Sequence, residues 1–112
     1  MTDPASPGPE LIVVVTVEDG AATVAVTGEV DVYTAPILRE RLYGVITGGA
    51  SHVVLDLQGM TFIDSTGLGV IVGTLKRLRQ DGGELMLRSP GRSTRKVLEL
   101  TGLANIVDII DA

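Results

Sequence analysis

The 112-residue sequence has no cysteine and no tryptophan, and only one phenylalanine, two tyrosines and one histidine. Without cysteine, disulfides and thiolate metal sites are excluded. There is no basic run, and a formal net charge of −5 argues against nucleic acid or an anionic membrane as partner. No apolar run approaches the roughly 18 residues of a membrane span. The N-terminal stretch MTDPASPGPE lacks the basic start and apolar core of a signal peptide. These absences leave a soluble, cytoplasmic protein. Residues 1–10 read as a flexible Pro-rich leader and residues 11–112 as one domain, which buries roughly two thirds of its unfolded surface without staples.

What is present is an alternation of short apolar strands and amphipathic helices. LIVVVTV (11–17) and ATVAVT (22–27) flank Asp19 and Gly20, a strong hairpin signal that predicts an antiparallel pair. Gly28 to Asp31 read as a turn, after which Thr34 is placed to cap a helix with Pro36 in its first turn. Leu38, Leu42, Val45 and Ile46 form its predicted buried stripe, and Gly48 and Gly49 end it. HVVLDL (52–57) is the third strand, followed by a loop from Gln58 to Ile63 and a second helix that ends by Gly82 and Gly83. ELMLR (84–88) alternates with Leu85 and Leu87 inward. A third helix over about 93–101, with Val97, Leu98 and Leu100, stops before Gly102, and a short strand falls near 106–110. The order β-β-α-β-α-β-α-β, with right-handed crossovers between neighbouring strands, predicts an α/β two-layer domain: a mixed four- to five-stranded sheet, helices on one face, the other largely bare.

The stretch FIDSTGLGVIVGTLKRL (62–78) stands apart. Leu68, Ile71, Val72, Leu75 and Leu78 make one helical stripe, and Asp64, Ser65 and Thr66 lie where an N-cap belongs. Gly67, Gly69 and Gly73 are anomalous, because each costs roughly 0.8–1 kcal/mol against alanine inside a helix. Projection at 100° per residue gathers Thr66, Gly69, Gly73 and Gln80 into a strip of few side chains, with Ser65 and Lys76 at its edge. Such a strip receives either a neighbouring helix of the same chain or a separate partner. Periodicity alone leaves both open.

Enzyme chemistry finds little support. The single histidine, His52, starts a strand at the end opposite Ser65, too far for a Ser-His-acid arrangement, and G-x-S-x-G is absent around Ser65. Gly67-Leu68-Gly69 matches neither a P-loop nor G-x-G-x-x-G. Asp31 and Asp64 both follow strands at the C-terminal edge of the sheet, where open α/β folds place their sites. As a pair they suit a metal or a general-base role, or else they are caps and turn formers; no metal, cofactor or catalytic residue is assigned.

GEVDVYTAP, LDLQGMTFIDSTGLGVIVGTLKRL and VLELTGL, in this order and at these separations, resemble the anti-sigma factor antagonists of the STAS domain family over about residues 11–110. The middle motif is specific. The resemblance implies a small mixed sheet with helices on one side and a partner-switching role in transcription regulation. In the family, the unphosphorylated protein binds an anti-sigma factor, often a serine kinase, and frees the sigma factor; phosphorylation of a serine ends binding and a serine phosphatase restores it. Carried onto this chain, the phosphorylation site is Ser65. Asp31 matches the acidic residue of the first strand-to-helix turn. The expected switch surface comprises Asp31, Asp64, Thr66, Gly67, Gly69, Gly73 and Lys76, on a chain that is a monomer or weak dimer when free. Ser89 to Arg95 run slightly longer than the family pattern, and the leader has no counterpart in it. Rival functions are a scaffold or regulatory subunit of a signalling or transport complex, as other STAS domains are, and a nucleotide-dependent enzyme.

Overall fold

The computed structural model describes residues 11–111; the expected leader, residues 1–10, lies outside them. The order is β1 (Leu11–Glu18), β2 (Ala21–Val30), α1 (Ala35–Thr47), β3 (His52–Ile63), α2 (Ser65–Gln80), β4 (Glu84–Arg88), α3 (Arg92–Leu100), a 3₁₀ turn (Leu103–Asn105) and β5 (Asp108–Ile110). The strands form one sheet in sequence order, β1-β2-β3-β4-β5. The β1–β2 pair is antiparallel and the other three are parallel. Asp19 and Gly20 close the hairpin at φ +51° and +78°, the pair of positive values a two-residue turn of primed type needs.

One face of the sheet carries the core. Val24, Leu55 and Leu87 lie in register across β2, β3 and β4, with Ala22, Val53 and Leu85 one row below, and all six are buried. Leu38 and Leu42 of α1, Ile71, Leu75 and Leu78 of α2, and Leu98 of α3 join the same cluster. The opposite face is less bare than the sequence predicts: Thr23, Ala25, Val54, Asp56, Met86 and Arg88 are half-buried. There Asp56 and Arg88 pair across β3 and β4 at 3.0 Å. Burial alone would raise the Asp56 pKa, but the Gln58 N–H and the Arg88 guanidinium together hold it below its ordinary value.

Several local expectations are corrected. Residues 58–63 continue β3 as strand, and of the turn expected at 28–31 residues 28–30 are the end of β2. Register shifts between Ala25 and Thr27 and between Gly28 and Glu29 break the period-2 alternation there, so a strand reads as a loop. Thr34 makes no side-chain cap for α1; its hydroxyl lies 2.8 Å from the Glu29 carbonyl oxygen. Val45 and Ile46 are half-buried, while Ala35 joins Leu38 and Leu42 inside. In α3, Thr94 and Leu98 are buried and Leu100 is 77% exposed. Gly102 takes the left-handed position after that helix, φ +82°, as predicted. Among the described residues no helix is long and apolar enough to cross a membrane.

Candidate functional site

The C-terminal ends of β2 and β3 lie side by side, with Val30 opposite Ile63. Each is followed by an aspartate, and the Asp64 N–H donates to the Val30 carbonyl at 3.1 Å, which ties the two loops together. Asp31 folds back on its own turn: its Oδ1 accepts from the Tyr33 N–H at 2.9 Å and the Thr34 N–H at 3.0 Å. Asp64 caps α2, its Oδ1 accepting from the Thr66 N–H at 2.9 Å and the Gly67 N–H at 3.1 Å. It also accepts from the Thr66 hydroxyl. That hydroxyl bond is the main cause of an Asp64 pKa below the ordinary carboxylate value, with the two N–H donors adding to it. Both carboxylates therefore serve backbone turns, as the capping reading of this pair has it.

Ser65 differs from both neighbours. It is the first residue of α2 and is exposed. No hydrogen bond engages its hydroxyl among the described residues. Asp64 supplies the cap, so Ser65 is not needed as one. His52 sits at the far end of the twelve-residue β3, beside the Ser51 hydroxyl.

The three glycines of α2 divide. Gly67 is buried, and a Cβ there would stand 2.6 Å from Ile63 Cγ1 and 2.7 Å from Val30 Cγ1. This corrects its assignment to the switch surface: it lets the helix approach the strand ends. Gly73 is half-buried, and a Cβ would meet only the Tyr43 hydroxyl, at 2.9 Å. Tyr43 of α1 reaches over it with the Arg39 and Arg77 guanidinium groups 4.5 and 5.4 Å from its ring. A Cβ at Gly69 would meet nothing within 4 Å among the described residues, and Gly69, with Thr66 and Lys76, is exposed. Of the expected strip, Gly73 alone of the two glycines is approached by a neighbouring helix, through Tyr43 of α1, and Gly69 lies open; Gly67, outside the strip, packs on the strand ends. The buried stripe is also rotated from the predicted one: Val70 and Thr74 are inside, and Leu68 and Val72 only half so.

Around this end of the sheet stand apolar side chains that periodicity did not single out. Val32 is 58%, Tyr33 76% and Phe62 47% exposed. An open groove of about 750 Å³ runs from Val32 and Thr66 between α1 and α2 towards Tyr43.

The family model of the STAS domain matches residues 13–112. The chain belongs to the STAS domain family. This STAS domain is 42% identical over 86 residues to the anti-sigma-B factor antagonist of Bacillus subtilis (strain 168), covering 77% of this chain and 78% of that protein. To the anti-sigma-B factor antagonist of Staphylococcus aureus (strain NCTC 8325 / PS 47) it is 37% identical over 94 residues, 84% and 87% of the two chains. Among solved structures it superposes on an anti-sigma factor antagonist from Mycobacterium paratuberculosis with a TM-score of 0.82 at 28% identity, covering 100% of this chain and 92% of the other. The STAS sheet places the aspartates and Ser65 on one edge.

Proposed function

We propose that this STAS domain is a cytoplasmic anti-sigma factor antagonist that works by binding and is not an enzyme. Its unphosphorylated form docks on an anti-sigma factor of the serine-kinase type and frees the sigma factor; phosphorylation of Ser65 ends the contact, and a serine phosphatase restores it. The observation that carries this reading is the exposed Ser65 hydroxyl, free of hydrogen bonds among the described residues and set between two residues that are both engaged. The adjacent Thr66 hydroxyl is donated to Asp64, which favours Ser65 as the phosphoacceptor.

Added phosphate brings about −1.5 to −2 charge. A helix N-terminus ordinarily stabilises an anion, but here the Asp64 carboxylate already takes the Thr66 and Gly67 N–H groups. The phosphate is left facing outwards beside a second anion, where it repels the partner and does not reorganise the domain. The docking surface is the rim of Val32, Tyr33 and Phe62 with Asp31, Thr66, Gly69, Gly73 and Lys76.

The test is intact-mass and peptide-mapping spectrometry after incubation with ATP and each serine-kinase-type anti-sigma factor of the host. One phosphate on Ser65 and loss of co-elution are expected, while Ser65→Asp keeps its circular dichroism spectrum and fails to bind. Tight binding without phosphate would overturn the switch. Neither binding nor phosphate would transfer the reading to a scaffold subunit, and an unfolded Ser65→Asp would refute the repulsion mechanism.

A further inference from the structure

The two edges of the sheet are built differently. β5 is three residues long, begins with Asp108 and is followed by Asp111, so it is short and charged, as protected edges are. β1 is eight residues long and carries no charge from Leu11 to Val17. Ile12, Val14 and Val17 are 60%, 56% and 61% exposed. No proline, lysine or bulge interrupts it, and an edge of this kind is a template for another strand.

The hairpin determines which of its backbone groups are free. Glu18 and Ala21 flank the two-residue turn and are directly paired, so they exchange hydrogen bonds. Bonding direction alternates along an antiparallel strand. Ile12, Val14 and Thr16 therefore bond to β2, and Leu11, Val13, Val15 and Val17 turn their N–H and C=O groups outwards. Residues 11–17 make no backbone hydrogen bond outside the sheet among the described residues.

We propose that β1 pairs antiparallel with β1 of a second copy of this chain, about a two-fold axis at Val14, to give a continuous ten-stranded sheet. In this register every outward group finds a partner: Leu11 faces Val17 of the other copy and Val13 faces Val15, each pair counted twice by symmetry. Shifting the axis to Val15 loses one of these pairs. Side chains agree with the backbone, because Val14 meets its own copy, Ile12 meets Thr16, and the exposed Val17 is covered by Leu11. The net charge of −5 lies wholly outside this seam. The chain's own leader is a poorer occupant, since Pro4, Pro7 and Pro9 have no N–H to offer a strand. A seam of about 24 Å covers on the order of 1,000 Å² in total, the weak end of specific interfaces. The dimer is accordingly weak, tightens as added salt screens the like charges, and presents two Ser65 sites.

The chain has no cysteine, so Val14→Cys introduces a single thiol. Facing non-hydrogen-bonded residues stand about 4.5 Å apart at Cα, within the disulfide range of roughly 4.4–6.8 Å. Ile12→Cys would stand about 14 Å from its own copy. Under mild oxidation Val14→Cys is expected to form a disulfide dimer and Ile12→Cys to remain monomeric. By sedimentation equilibrium from about 10 to about 500 μM, Val14→Lys, exposed and hence folded, raises the dissociation constant about tenfold or more. Equal cross-linking of both cysteine variants overturns the register. A wild-type chain that stays monomeric over the whole range overturns the dimer, and one that dimerises only after removal of residues 1–10 makes the leader the occupant instead.

Discussion

Gly67→Ala and Gly69→Ala add the same methyl group to the same helix two residues apart, yet the structure predicts opposite outcomes. Either change removes the helical cost of glycine, about 0.8–1 kcal/mol. At Gly69 the new Cβ would meet nothing within 4 Å among the described residues, so Gly69→Ala is expected to stabilise by about 0.5–1 kcal/mol. At Gly67 the new Cβ would stand 2.6 Å from Ile63 Cγ1 and 2.7 Å from Val30 Cγ1, about 1 Å inside ordinary carbon contact. Val30 is fully buried, and both neighbours are β-branched and stiff at χ1, so the strand ends or α2 must shift. Overpacking of this kind costs about 1–3 kcal/mol. Net of the helical gain, Gly67→Ala is destabilised by about 1 kcal/mol, and the two variants differ by about 2 kcal/mol. Urea unfolding followed by circular dichroism resolves this, as a midpoint about 1 M lower for Gly67→Ala than for Gly69→Ala. If Gly67→Ala proved as stable as Gly69→Ala, close approach to the strand ends would not be the reason for glycine at 67.

At Gly73 a Cβ would meet the Tyr43 hydroxyl, the end of a side chain that can move aside; Gly73→Phe is expected to fold and to weaken binding of the anti-sigma factor in a pull-down or calorimetric titration, and normal binding would remove Gly73 from the docking surface. Tyr33→Ala, at a side chain 76% exposed, should leave the melting temperature unchanged and weaken the same binding by about tenfold or more. Asp56→Asn removes the cross-strand partner of Arg88 and should cost about 1 kcal/mol at neutral pH. Because the folded-state pKa of Asp56 lies below its ordinary 3.8, its contribution is complete above that value and is lost as the pH falls through the lowered one. The stability gap between wild type and Asp56→Asn, read from urea midpoints, should therefore close in acid.

The element order, the Asp-Gly hairpin and the capped start of α2 were legible because each rests on local chemistry within a few residues. The tail of β3 was not, since the register shifts near Thr27 and Glu29 destroy the alternation by which a strand is read. The roles of the glycines were legible only as an anomaly. What separates Gly67 from Gly69 is the presence of Val30 and Ile63, and Val30 is supplied by a strand more than thirty residues away. In the same way, Val70 and Thr74 enter the core because α1 lies beside α2, a rotation that hydropathy, which counts threonine as polar, does not show. Val32, Tyr33 and Phe62 were missed because exposed apolar residues follow no period; a tyrosine and a valine placed in a turn between strand and helix were the available signal. The places of Asp31, Asp64 and Ser65 at adjacent strand ends were legible, because each follows a strand and the two strands run parallel.

The Asp64 cap bears on how long a chemical mark on its neighbour would last. A helix end with vacant donors would clasp a phosphoryl group and shield it, making the domain the keeper of its own memory. Here the Thr66 and Gly67 donors are spoken for by a built-in carboxylate, so the mark on Ser65 would be held less firmly and remain open to water and to whatever enzyme erases it. Its lifetime would then be set by the balance of writer and eraser outside the domain, and the folded chain would carry the message without holding on to it.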